Sequence, residues 1–161
     1  MGSTSDLPVM QKAMAFLDEM HVPFEVNALS AHRTPDAVEA FAKGAQERGI
    51  KVIIAGAGMA AALPGVLAAY TTLPVIGVPI KGNALEGLDA LYSILQMPPG
   101  ITVATVAING AVNAAVLAVE ILSLADDDLA KELAHYKAAL SEKITKANDD
   151  LNALKYKYKV N

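Results

Sequence analysis

An α/β fold, with a parallel sheet covered by helices, is predicted by three features of the sequence. Short β-like apolar runs alternate with helical patterns along the chain. The run Val52 to Ala55 is apolar without alternation, as in a strand buried on both faces. Polar and glycine-rich loops punctuate these runs, and 161 residues suit a single domain.

The elements follow in order. Met10, Ala13, Met14, Leu17 and Met20 fall on one helical face, which predicts a helix over 7–20. Ser5 or Asp6 is its expected cap, with Pro8 in the first turn. Pro23 interrupts that helix, and Phe24 to Leu29 reads as a strand. Thr34 and Pro35 open a second helix to about Arg48, which Gly49 stops. Strand Val52 to Ala55, helix Ala60 to Tyr70, strand Leu73 to Val78 and helix Leu85 to Leu95 come next. Strand Thr102 to Ile108 and the nearly all-apolar helix Ala111 to Leu124 complete a segment, 1–124, expected to be the catalytic α/β unit. A strand is expected just ahead of Gly2-Ser3-Thr4-Ser5-Asp6, because a glycine–serine turn feeding a helix usually follows one. The sequence opens at Met1, so either the fold does without that strand or the chain is longer than the sequence given.

The segment 125–161 is predicted to be one long helix, capped by Asp126-Asp127-Asp128 and running to about Lys157. Leu129, Leu133, Tyr136, Leu140, Ile144, Ala147, Leu151, Leu154 and Tyr158 repeat along it at spacings of three and four. Some ~30 residues at ~1.5 Å each give a rod of ~45 Å, against a radius of gyration of ~15 Å for a domain of this size. One stripe on so long a rod needs a partner beyond its own core, so the helix is expected to pack on a neighbouring subunit.

Composition narrows the function. Hydrophobic residues make up 53% and charged residues 19% of the chain. The mean hydropathy is +0.35. Apolar surface in that excess has to face something. No run of ~18 apolar residues is free of Gly, Pro or polar breaks, so a homo-oligomer interface is preferred to a membrane. A net charge of −4 argues against a nucleic-acid partner, and Lys155-Tyr156-Lys157-Tyr158-Lys159 reads as a solvated helix end. With no cysteine there is neither disulfide nor thiolate chemistry, which is compatible with a reducing cytoplasm. No signal-peptide pattern is read at the N-terminus. No metal site is evident, with no HExxH and no His pair at helical spacing. Walker, GxGxxG and GxSxG patterns are also missing.

Ligands of an open parallel sheet bind beyond the carboxyl ends of the strands. The loops expected there are Gly2–Asp6, Ser30–Pro35, Gly56–Met59, Lys81–Asn83 and, least securely, Gln96–Gly100. The first offers hydroxyls and free amides at a helix start, suited to phosphate, although for this loop alone ordinary capping by Ser5 or Asp6 is the preferred account. The second sets His32 beside Arg33. Arg supplies a permanent planar fork for phosphate or carboxylate, and His exchanges protons near neutrality. Of the other histidines, His21 reads as a helix C-terminal cap and His135 as a surface residue of the long helix. The third loop lets backbone approach a ligand at Gly56 and Gly58, or serves tight helix–sheet packing.

Gly2-Ser3-Thr4-Ser5-Asp6, Ser30-Ala31-His32-Arg33-Thr34-Pro35, Gly56-Ala57-Gly58, Leu63-Pro64-Gly65, Gly77-Val78-Pro79, Tyr92-Ser93-Ile94 and Gln96-Met97-Pro98 occur in this order. Together they resemble the N5-carboxyaminoimidazole ribonucleotide mutase (PurE) family from residue 2 to about 124. The resemblance implies a three-layer flavodoxin-like parallel sheet with helices on both faces and a long C-terminal helix. It also implies a homo-octamer whose C-terminal helices reach neighbouring subunits, and a reaction without metal or cofactor. In that reaction a carboxylate moves from the exocyclic nitrogen to ring carbon 4 of an aminoimidazole ribonucleotide, in de novo purine biosynthesis. Residue by residue, His32 matches the general acid/base. Ser3, Ser5 and Arg33 match phosphate-side contacts, and Asp6 the ribose contact. Ser30 lies beside His32. Ala57, Gly58, Ala60 and Leu63 match the wall around the base and the migrating carboxylate.

Two departures stand out. The family commonly reads Gly-Gly-Ala-Ala-His-Leu-Pro-Gly where this chain reads Gly58-Met59-Ala60-Ala61-Ala62-Leu63-Pro64-Gly65, so the family's second histidine is Ala62 here. The missing first strand is the other. Three alternatives stay open on the sequence: a direct aminoimidazole ribonucleotide carboxylase using CO2, a non-catalytic ribonucleotide-binding module, and a purely structural oligomer. Arg33-Thr34-Pro35 and Gly56-Ala57-Gly58 look like the mutase branch rather than the carboxylase branch.

Overall fold

The computed structural model describes residues 1–160. Three strands, β1 (Ile53–Gly58), β2 (Val75–Ile80) and β3 (Ala104–Thr105), pair in parallel in the order β1-β2-β3. β1 and β2 stay in register from Ile53 opposite Val75 to Gly58 opposite Ile80.

Every residue of β2 is buried, and its side chains divide by the two-residue period of a strand. Ile76, Val78 and Ile80 face one layer, formed by α1 (Leu7–Glu19) and α5 (Ala111–Ser123), where Met10, Phe16, Ala115 and Val119 pack. Val75 faces the other with Ile53, Ala55 and Ala57 of β1, against α2 (Pro35–Gly44), α3 (Leu63–Tyr70) and α4 (Leu88–Leu95). The middle layer is thus covered on both faces, as the apolar runs predict. Gly77 is required there: a Cβ would lie 2.4 Å from Ile94 and 2.8 Å from Val103.

Several boundaries differ from expectation. β3 keeps two residues of the predicted Thr102–Ile108. The residues of β2 that turn toward it are Gly77 and Pro79, whose carbonyls accept from Val106 N–H and Asn109 N–H at 3.1 and 2.8 Å. Pro79 has no N–H to return, so the ladder stops. Helix α2 ends at Gly44 rather than Arg48. The chain then closes through turns to Gly49, which takes φ +86°. Helices α3 and α4 start at Leu63 and Leu88 rather than Ala60 and Leu85, after left-handed residues at Met59 (φ 55°) and at Glu86 and Gly87 (φ 55° and 92°). His21, at φ 55°, ends α1 as anticipated, with its N–H on Asp18 C=O and Val22 N–H on Leu17 C=O.

The predicted strand Phe24 to Leu29 is extended but is not a regular strand. Among the described residues its only backbone partner is Met1. The Met1 nitrogen donates to Asn27 C=O at 2.9 Å, and Leu29 N–H donates to Met1 C=O at 2.8 Å. On its other side Gly2 N–H donates to Gly56 C=O of β1 at 3.0 Å. Met1 and Gly2 therefore lie between this segment and β1.

The last helix, α6 (Asp127–Ala153), stops short of the expected Lys157, and Lys155–Tyr158 lies exposed beyond it. Asp126 caps it, its Oδ1 accepting from Asp128 N–H and Leu129 N–H at 3.1 and 3.0 Å. Leu133 is buried, and the Tyr136 ring meets Phe16 edge-on at 4.9 Å. Past that point Leu140, Ile144, Leu151 and Leu154 are exposed. No helix among the described residues is long and apolar enough to cross a membrane.

Candidate active site

Parallel pairing puts the carboxyl ends of all the extended segments at one edge. Met1–Gly2 leads into Ser3, Leu29 into Ser30, β1 into Met59, β2 into Lys81, and the segment after β3 into Asn109. Four of the five loops expected at this edge are there. The fifth, Gln96–Gly100, is not. Helix α4 runs back from the end of β2 to the start of β3, so the loop that follows it lies at the opposite edge. Parallel pairing of β3 with β2 forces this return.

The first loop is a 3-10 turn, Thr4–Asp6, capped by Ser3; Asp6 stands at the N-cap position of α1, as expected, without a side-chain cap bond there. Ser5 N–H donates to Ser3 Oγ at 3.3 Å, and Ser3 N–H donates to Asp6 Oδ2 at 3.2 Å, a reciprocal capping box. The Ser5 hydroxyl donates to Asp6 Oδ1 at 3.4 Å. Asp6 is the only buried charged residue among those described, at 7% exposure, and both its oxygens hold the loop. Ser5 stays exposed at the edge, and Ser3 is half-buried.

The second loop is also ordered by its own side chains. Ser30 Oγ accepts from Arg33 N–H and Arg33 Nε at 3.2 and 3.3 Å. Ser30 N–H donates to Thr34 Oγ1 at 3.0 Å, and the Thr34 hydroxyl donates back to Ser30 C=O at 3.1 Å. Thr34 therefore closes the loop instead of capping α2 with its side chain. His32 stands exposed in the turn, with no hydrogen-bond partner among the described residues, and Arg33 is exposed beside it.

In the third loop the Ala57 and Leu63 side chains are buried in the core, at 5% and 3% exposure, so only their backbone is available at the edge. Gly58 lies against β2, where a Cβ would stand 3.2 Å from Ile80 C=O. Ala60 is exposed, and Ala62 begins α3 without a side-chain cap, which leaves the first amides of α3 uncovered. Met59 is 72% exposed in a left-handed conformation.

Asn109 was not anticipated from the sequence. Its Oδ1 accepts from Lys81 N–H at 2.9 Å while its own N–H donates to Pro79 C=O, tying the ends of β2 and β3 together at this edge. The Asn109-Gly110 pair was the available signal, since Asn tolerates the φ of 58° seen here. No group of three or more His, Cys, Asp or Glu is gathered among the described residues.

A doubly wound, flavodoxin-like α/β protein with hydroxyl, imidazole and guanidinium groups on two self-ordered loops at the carboxyl edge is the class that fold and site define. Comparison with known proteins makes this particular. The family model for AIR carboxylase matches residues 1–143. The N5-carboxyaminoimidazole ribonucleotide mutase of Pyrococcus abyssi is 60% identical over 137 residues, 85% of this chain and 79% of its own length. That of Thermotoga maritima is 50% identical over 161 residues, 100% of this chain and 94% of its own length. A crystal structure of Treponema denticola PurE superposes with a TM-score of 0.83 at 30% identity, covering 93% of this chain and 94% of that one. The chain belongs to the AIR carboxylase family.

Proposed function

We propose that this protein is an isomerase of de novo purine biosynthesis that converts N5-carboxyaminoimidazole ribonucleotide to 4-carboxyaminoimidazole ribonucleotide. The observation that carries the reading is the 50% identity to a mutase of that name over the whole chain. The loop chemistry supports it. Ser3, Ser5 and Arg33 supply hydroxyls and a cation for the phosphate, and the Asp6 loop stands next to them for the ribose. The backbone of Ala57, Gly58 and Leu63, with Ala60, forms the wall beside the base.

His32 then serves as the single acid/base. Protonated, it gives its proton to the exocyclic nitrogen as the nitrogen–carboxylate bond breaks. The released CO2 bonds to carbon 4, and neutral His32 removes the proton from carbon 4. An imidazole free of partners, as His32 is here, suits a group that has to reach two positions of one heterocycle. Ala62 leaves this loop without a histidine, so the scheme needs none there.

The test is a carboxylate-migration assay on the purified protein beside His32→Asn. Positioned proton transfer contributes ~10²–10⁴-fold, so the variant is expected to lose at least ~10²-fold in kcat. A variant within about tenfold of the parent eliminates the role. Turnover of aminoimidazole ribonucleotide with bicarbonate, in place of the carbamate substrate, would assign the direct carboxylase. Tight ribonucleotide binding with no product would assign a binding module. The same reading places the enzyme in the cytoplasm and in a homo-octamer in which residues 125–161 pack on neighbouring subunits.

A further inference from the structure

Met59 stands at the carboxyl edge with no part in the chemistry proposed for it. It is 72% exposed, more than any other large apolar side chain between Met1 and Ser123. Its backbone is left-handed, at φ 55°. There the Cβ of an L residue crowds the following carbonyl, and glycine or asparagine is the ordinary occupant. A tight turn holds it so. Ala61 N–H donates to Met59 C=O at 2.9 Å, and Gly58, just ahead, lies against Ile80 C=O.

β1 ends between two groups of loops. Ser3 and the Ser30–Thr34 loop lie on its Met1 side, and Lys81–Asn83 lies on its β2 side. Met59 leans toward the second group, since a Cβ on Gly82 would stand 3.9 Å from Met59 Cγ. Its thioether thus borders the cleft on the side away from His32 and Arg33. Two costs meet at this one residue. An apolar side chain is left in water, and a methionine is held where its backbone is disfavoured. Glycine would avoid both. Strain of this kind gathers at ligand clamps, where the surrounding structure holds it in place. The side chain itself suits a clamp: it is unbranched, turns about three bonds and packs its polarisable sulfur against aromatic rings.

We infer that Met59 is a specificity-determining contact, whose side chain closes over the heterocycle of the bound ribonucleotide and holds it against the backbone of Gly58 and Ala60. This role rests on the ribonucleotide reading of the site. It adds a group that recognises the ring, whereas Ser3, Ser5, Asp6 and Arg33 recognise the phosphate and the ribose. A flat aromatic ring is the chemistry a thioether favours, and a sugar phosphate without a base gains nothing from it.

The experiment measures binding of aminoimidazole ribonucleotide and of ribose 5-phosphate, by calorimetry, to the full chain and to Met59→Gly, Met59→Ala and Met59→Leu. Met59→Gly and Met59→Ala are both expected to weaken the ribonucleotide by roughly three- to tenfold. Ribose 5-phosphate is expected to stay within about twofold in every variant. Met59→Leu keeps the apolar bulk and is expected to recover most of the loss. Met59→Gly is expected to melt no lower than the parent, because glycine accepts the left-handed conformation without strain. Equal weakening of both ligands overturns the inference, as does weakening of neither. Weakening by Met59→Gly alone assigns the effect to a loosened backbone and also overturns it. So does a fall in the light-scattering mass of Met59→Ala, which would assign the side chain to a contact between subunits. Binding needs no turnover, so a chain that binds the ribonucleotide without converting it ends the mutase reading and still judges Met59. A parent that binds neither ligand ends both.

Discussion

Asp6 and Arg33 are both turned back on their own loops. Asp6 holds Ser3 and Ser5, and Arg33 bonds Ser30 Oγ through its backbone and its Nε. The remaining guanidinium nitrogens make no bond among the described residues, which leaves them for an anion. Met1 carries a residue-level effect with a clear pH dependence. Desolvation holds its ammonium below the ordinary value of 8.0, and nearby Asp6 opposes that only in part. The unfolded chain therefore binds more protons than the folded one between the lowered value and 8.0, and stability rises with pH across that window. Below the lowered value both states are protonated and the penalty is present in full. Denaturant melts at closely spaced pH values up to about 8.5 check this, and the slope is expected to vanish when the nitrogen is acetylated. A flat profile in the unmodified chain would remove the burial argument.

Helix α6 shows how one element divides between two tasks. Its first turns belong to the subunit core through Leu129, Leu133 and Tyr136, which pack with α1 and α5. Its N-terminus is secured by Asp126, so Asp126→Ala is expected to cost ~1 kcal/mol, read by chemical denaturation. Its later turns carry an exposed stripe that includes Leu140 at 44% and Ile144 at 65%. A substitution there touches no intrachain packing. Ile144→Asp is expected to leave the stability of the single subunit within ~0.5 kcal/mol and to weaken assembly. The helix is long because Asp126 starts it well and no Pro or Gly interrupts Asp127–Ala153. Packing against its own subunit fixes only the part that reaches the core.

For the whole molecule, the exposed stripe of α6 and an unusually apolar composition point the same way. Light scattering at micromolar concentration is expected to give a mass several times the 16.8 kDa of one chain, and Ile144→Asp to lower it. A monomer would refute the assembly proposed here. The sequence by itself determined the alternation of strands and helices, the buried central strands and the loops that bear Ser3, His32 and Arg33. These are local or periodic properties: an apolar run, a glycine stop and a Thr-Pro helix start act through neighbours a few residues apart. Tertiary structure decided the rest. Phe24–Leu29 meets Met1 rather than joining the β1 ladder, β3 is cut short because Pro79 faces it without an N–H, and Gln96–Gly100 is carried to the far edge by the return of α4. A strand is completed by what lies beside it in space. No pattern within the strand reports whether that neighbour is there, or which way its hydrogen-bonding groups point.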